Sequence, residues 1–515
     1  MRWAKRNRAT AAALCAVVLL SLIAGVFAYR ERIVRQQAQE EKRLHAVEQA
    51  MLNAVSGDLN RAEKAIAEAE LLGASAGSVR MIRGQLALHR GDAPTAIEHL
   101  EQAVKLLPRS VAACSLLAQA YLADGQEDRY EIIFMDFIEK LTAVTPEDYL
   151  FKGSAESSWD SARGLKTLDE AIRQRDSTIA RVLRSGARAN YAQDTGNVKM
   201  AQLAIDDAGI AKSMMPGNPV AIGADMWAHH VAMAIFRDAG EKDRDSASLL
   251  QAGMDAQELE GFPNLPMSYE ARWHYLNLIG QEGAAHEVAR KGYEAAESAT
   301  TRRIYVWSLY ERGEFGKVLE VIERTGGPEE VSSRDAKLAG GVYGLRPFIL
   351  VDLPDGPSRA LKAHRENCEL FTAGYHAIFN QATLLLLGRR REAMDASAKL
   401  LKQPERLTGL SREHFLRILD YCRGNLPEEE FLRAEIGSRW HQCEAHFYVA
   451  LDRLAQGDRA GAREHFEKAL ATGVFEFGAY QWSRLFLKRM DQDPNWPSWI
   501  PLQERTPQPT TTPQS

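Results

Sequence analysis

Few residues of this 515-residue chain have the type and spacing that chemistry requires. His229 and His230, beside Trp227, form the one adjacent histidine pair. Consecutive helical side chains point about 100° apart, so two such imidazoles do not readily chelate one ion, and a structural role is the better reading. Glu428-Glu429-Glu430 follows Pro427, where carboxylates suit the positive end of a helix dipole. His89-Arg90-Gly91-Asp92 approaches the residue order of a phosphoryl-transfer loop, but Gly91 interrupts it and no DFG follows. Gly340-Gly341-Val342-Tyr343-Gly344 has the wrong spacing for a phosphate cradle, and neither GxxxxGK[ST] nor HExxH occurs. Cys15, Cys114, Cys368, Cys422 and Cys443 are odd in number and form no CxxC, which supports neither a disulfide framework nor a zinc site. The expectation is a chain without catalytic, cofactor or metal residues.

The elements that would have to position any site are easier to read. The chain is 45% hydrophobic and 26% charged, enough to bury a large core, and its net charge of −5 gives no general electrostatic case for nucleic acid. Gly57, Gly91 and Gly125 stand 34 residues apart. Ala62 and Ala96 follow their glycines by five residues, Ile66 and Leu100 by nine, Ala69 and Ala103 by twelve. Such a period marks a helix–turn–helix array. In the unit 77–110, Met81, Ile82, Leu86 and Leu88 form the first helix, Gly91 ends it, Asp92 caps the next and Pro94 fits its first turn. Ala96 is small so that the helices approach closely, Leu100 fills the space beyond, and Pro108 closes the unit.

These residues resemble the tetratricopeptide repeat (TPR) family. The offsets return at Gly196, Ala201, Ile205 and Ala208, at Gly313, Val318 and Ile322, more weakly at Gly388 with Ala393, and strongly at Gly457-Asp458, Ala462, Phe466 and Ala469. The expected fold is an all-α, TPR-like helical-repeat solenoid. TPR units occupy 43–144 (43–76, 77–110 and 111–144), degenerate helical repeats 145–442, and a C-terminal TPR-like unit 443–490. The third unit departs from the pattern at Tyr130. Breaks fall near Pro216-Gly217-Asn218-Pro219, Phe262-Pro263 and Gly326-Gly327-Pro328, and 340–357, with the β-like Phe348-Ile349-Leu350-Val351, reads as an extended crossing loop. Trp482, Trp496 and Trp499, interleaved with Pro494, Pro497 and Pro501, would cover the end of the array; the cap and tail occupy 491–515, and the Pro/Thr/Gln-rich tail from Thr506 reads as disordered. The resemblance implies a concave groove lined by first helices: Val47, Met51, Met81, Gln85, Ser115 and Gln119, with His89 nearby. The Lys and Asn of carboxylate-clamping members are missing there, so an unidentified protein or peptide is the expected partner.

At the N-terminus, basic residues 1–8 precede an uncharged stretch, 9–29. Twenty-one helical residues rise about 30 Å, enough to cross a bilayer. Two readings compete: an uncleaved single-pass transmembrane helix, favoured by the length, and a signal peptide cleaved after Val26-Phe27-Ala28, which would leave a secreted solenoid. The anchor implies membrane localisation, with the N-terminus cytoplasmic and the repeats outside. Residues 30–42 read as a helical stalk.

A second resemblance covers the span and the repeats. Arg2-Trp3-Ala4-Lys5-Arg6-Asn7-Arg8, the segment Ala471-Thr472-Gly473-Val474-Phe475-Glu476-Phe477 and Trp496-Pro497-Ser498-Trp499-Ile500-Pro501 look like the part after the catalytic domain in planctomycete-type, hence bacterial, membrane serine/threonine kinases. It implies a non-catalytic, membrane-anchored scaffold with a serine/threonine kinase as a partner. The alternative is the regulatory remnant of a kinase whose catalytic domain is not in this chain.

Overall fold

In a computed structural model, the structure describes residues 2–501 with breaks at 57, 91, 125, 127–128, 130–132, 134–139, 158–159, 297, 325–345, 371–373, 404–411 and 476. For residues 2–25 and a few helix ends it describes the backbone alone. No strand occurs among the described residues. The first helices are α1 (Arg2–Ser56), α2 (Leu59–Leu71), α3 (Ala76–His89), α4 (Ala93–Leu106), α5 (Val111–Ala123), α6 (Pro146–Ser157) and α7 (Ser161–Gln174). The middle of the chain forms α8 (Thr178–Thr195), α9 (Val198–Met214), α10 (Pro219–Asp238), α11 (Lys242–Glu258), α12 (Pro266–Leu278), α13 (Glu282–Ala295), α14 (Ala299–Glu311) and α15 (Phe315–Glu323). Then come α16 (Arg346–Leu350), α17 (Gly356–Leu370), α18 (Gly374–Leu386), α19 (Arg390–Leu400), α20 (Arg412–Arg423), α21 (Glu428–Ala434), α22 (Arg439–Ala455), α23 (Arg459–Ala471) and α24 (Gly478–Gln492). Successive helices pair and each pair packs on the next, which makes the described residues an all-α array of helical hairpins.

The hairpins form where the sequence places caps. Asp58 Oδ1 accepts from Arg61 N–H at 3.0 Å, Asn197 from Met200 at 3.0 Å and Asp458 from Gly461 at 2.9 Å, each satisfying an orphan donor of a second helix. Gly196 (φ 70°) and Gly457 (φ 81°) take the left-handed conformation that ends the first helix. Gly57, Gly91, Gly125 and Tyr130 lie outside the described residues, as do Gly326-Gly327-Pro328 and the tail from Thr506. Close approach is real at the α3–α4 contact: a methyl group built on Gly84 would overlap Leu100, and Ala96 and Leu100 are fully buried.

Three expectations are corrected. The run 9–29, the stretch 30–42 and the start of the first repeat form one continuous helix, α1. No helix among the described residues is long and apolar enough to cross a membrane, and this overturns the transmembrane helix and the membrane localisation. From Val26 onward, where its side chains are described, α1 exposes Arg30, Glu31 and Arg35. The side chains of 9–25 lie outside the described residues. Phe348-Ile349-Leu350 is helical rather than extended, because all three side chains enter the core, where Phe348 stacks on Phe379 with ring centroids 4.6 Å apart; residues 340–345 are outside the description.

Nor is the array a plain open solenoid, because its C-terminal units fold back on its middle. Ser438 donates to Asp194 at 2.6 Å, Arg439 pairs with Asp238 at 3.2 Å, and Phe475 stacks on His230 at 4.1 Å. The final segment is a strap. Trp496 Nε1 donates to Asp352 at 2.8 Å and Trp499 Nε1 to the Leu386 carbonyl at 3.0 Å. The Arg459 guanidinium holds the strap from below, donating to the carbonyls of Trp496 (3.1 Å), Asn495, Pro497 and Ile500 (each 2.9 Å).

Candidate functional site: the inner face of the array

The groove positions of the strict repeats divide by burial. Val47, Met51, Met81, Gln85 and Ser115 are buried, while His89 and Gln119 are exposed. The physical reason is that later helices occupy this inner face. Leu150 of α6 and Ile179 of α8 join one core with Val47 and Met51. Glu48 receives the Ile179 N–H at 3.0 Å, and Arg175 donates to the Leu44 carbonyl at 3.3 Å. The crevice left between Val47, Met51, Leu150 and Ile179 holds about 10 Å³, at most one water. Met81 belongs to a second core with Leu116 and Leu117. Val47, Met51 and Met81 therefore belong to packed cores, and Gln85 and Ser115 are buried beside them in sequence.

The open part of the inner face lies one stage further along, where α6, α8 and α10 are the first helices of successive pairs. A groove of about 350 Å³ runs across them, lined by Ser157, Val182, Gly186, Asn190, Ala224 and Trp227 among others. None of its lining residues carries a charge. A Cβ at Gly186 would meet nothing within 4 Å, so the groove floor is empty above it. These positions were legible in principle. Met81 and Gln85 stand ten and six residues before Gly91, and the same offsets counted back from Gly196 fall on Gly186 and Asn190. The missing information was which repeats keep their inner face open.

The walls are held by charge and stacking. Asp207 of α9, almost wholly buried, is shared by Arg181 (2.7 Å), Arg184 (2.7 Å) and Arg188 (2.5 Å) of α8. A buried carboxylate needs such pairing, and three guanidinium forks lock α8 to α9. Trp227 meets Phe475 edge-on at 5.5 Å, and His230 lies flat against the same ring. Burial keeps His230 neutral, with its pKa pushed down to about 3. His229 instead approaches Ser248 (3.2 Å) and Asp225 (3.8 Å), so the adjacent histidines face different neighbours.

On the other side of α10 is a cleft of about 540 Å³ between α9, α10 and α11. Lys212 there bonds to Asp255 and lies 3.1 Å from Glu258 and 3.7 Å from Asp225. Burial, and then the neighbouring Asp255, push the Asp225 carboxyl up to about 7. One lysine thus holds two buried carboxylates. The arrangement can hold a proton near neutrality, and in the same lining Ser213 donates to the Ile210 carbonyl at 2.7 Å and Gln251 to Asp255 at 3.1 Å.

No protein-family model and no curated protein matches the chain. Solved structures to which it is similar include the APC/C hetero-tetramer Cut9–Hcn1 (13% identity, 89% of this chain and 95% of that one, TM-score 0.29). Others are the human IFIT1 dimer with PPP-AAAA (14%, 78% and 91%, 0.34) and yeast Tom70 (12%, 82% and 98%, 0.33). At these TM-scores the likeness carries no argument; the helix pairs and their caps make the described residues an all-α array of helical hairpins.

Proposed function

We propose that the chain is a non-catalytic scaffold that binds a peptide segment of another protein in the groove across α6, α8 and α10. The observation that carries this reading is the uncharged groove of about 350 Å³ on the inner face of three successive first helices, large enough for several side chains. Its apolar walls suit an apolar ligand stretch, and Asn190 offers both a donor and an acceptor to a ligand backbone. The lining has no lysine or arginine to meet phosphates, which disfavours nucleic acid. A role in kinase-linked signalling rests on the sequence resemblance alone.

The test is a photoreactive amino acid at position 190, with the exposed position 199 on α9 as control. Irradiation should give a defined adduct from position 190 only, and digestion should map the adduct to a short apolar segment of one partner. Equal labelling from both positions, or none from 190, would remove the groove assignment.

A further inference from the structure

Ala224 and Trp227 of α10 line the groove, whereas Asp225 and His229 line the cleft of about 540 Å³ between α9, α10 and α11. The two banks of the cleft, α9 and α11, are second helices of successive pairs. Each bank leaves two large apolar side chains in solvent. Ile210 and Met214 of α9 are exposed and adjoin the lining residues Gly209 and Ser213. Leu250 and Met254 of α11 are more than half exposed. Met254 stands three residues after Gln251 and four before Glu258, both of the lining, so one helix face carries all three. A Cβ on Gly209 or Gly217 would meet nothing within 4 Å, which leaves the cleft open between its banks.

The floor is rich in hydrogen-bond acceptors and poor in donors. Asp225 and Asp255 are almost wholly buried and Glu258 stands at the edge, so three carboxylates share the single ammonium group of Lys212. The nearest donor to Asp225 is Gln251 Nε2, at 3.5 Å. Asp255 Oδ2 is buried and accepts no hydrogen bond among the described residues. His229 adds no positive charge, since burial holds its pKa down to about 4. We propose that this cleft docks an apolar segment of a partner protein carrying one basic residue, whose cationic group enters between Asp225 and Glu258 while its apolar neighbours lie on Ile210, Met214, Leu250 and Met254. Charge complementarity selects this occupant: three carboxylates against one ammonium leave room for a second cation, and a guanidinium fork brings the donors that Asp225 and Asp255 lack. A bare metal ion would gain nothing from the four apolar side chains, and a purely apolar segment nothing from the carboxylates. The proposal stands independently of the groove across α6, α8 and α10.

The test is fluorescence anisotropy of a short fluorescein-labelled peptide with one arginine between leucines, titrated with the full chain. Circular dichroism confirms the folding of each variant. The same peptide with citrulline keeps the shape and removes the charge. It should bind at least ~10-fold more weakly, because a desolvated charge pair is lost. Glu258→Gln and Met254→Gln, both at exposed positions, should each weaken the arginine peptide by on the order of 5-fold. Leu71→Gln, a highly exposed apolar position at the end of α2, should leave it unchanged. No binding of the arginine peptide, or equal affinity for the two peptides, overturns the proposal, as does full affinity in folded Glu258→Gln. Loss of binding in Gly186→Arg, which fills the groove instead, would assign the peptide to the groove and overturn it too.

Discussion

Glu48 accepts the backbone N–H of Ile179 at 3.0 Å across 131 residues of chain. The first turn of α8 therefore packs against the face of α1 that carries Val47 and Met51. An array of helix pairs curves, and here α6 and α8 pack against α1, where Val47 and Met51 share one core with Leu150 and Ile179. The strict repeats become a buried N-terminal core, and the open inner face begins only at α6.

That inversion sets the expected behaviour of Met81. Met81→Lys buries an unpaired cation among Leu116 and Leu117, and should destabilise by on the order of 3 kcal/mol. Gln119→Lys, at an exposed position of the same face, should stay within about 0.5 kcal/mol. Melting curves of the two variants decide the matter; equal melting temperatures would place Met81 at a surface.

Gly186 is the position at which the groove can be filled without disturbing the fold. Gly186→Arg meets open space, and replacing glycine within a helix gains up to about 1 kcal/mol of helix propensity. Adduct yield from the photoreactive residue at 190 should fall at least ~10-fold while helicity is unchanged, since a buried cation repels an apolar segment. An unaltered yield would separate the groove from partner binding.

Arg459 holds four carbonyls of the strap, and no lysine can reach them all with one ammonium group. Arg459→Ala and Arg459→Lys should both loosen the strap, at a cost of about 2 kcal/mol or more, because charged hydrogen bonds are lost. The readout is a red-shifted tryptophan emission from Trp496 and Trp499, together with faster proteolysis beyond α24. Unchanged emission in both variants would show that tryptophan packing alone retains the segment.

The carboxylate pair at Lys212 gives a pH dependence with a definite sign. Asp225 is raised from 3.8 to about 7 in the folded state, chiefly by burial. The folded chain therefore holds a proton that the unfolded chain releases, and this contribution to stability falls as pH rises from about 4 through 7. Asp225→Asn removes the titration. The melting temperature of the variant relative to wild type should rise between pH 5 and pH 8, and a flat difference would assign the proton elsewhere in the pair.

The local units are set by short stretches of adjacent residues. Asp58, Asn197 and Asp458 cap second helices, and Gly196 and Gly457 end first helices, because capping geometry depends on a few adjacent residues. Phe348-Ile349-Leu350 misled for the complementary reason: a short apolar run suits a strand or a buried helix equally, and only its neighbours decide. The groove was legible as a pattern, since one set of offsets marks Met81 and Gln85 in one repeat and Gly186 and Asn190 in another. Whether such a position faces solvent or a later helix depends on the curvature of the whole array. That curvature sums small rotations between successive pairs, so tertiary structure alone decided that Met81 is core, that Asn190 lines an open groove, and that Asp225, Asp255 and Glu258 meet around Lys212.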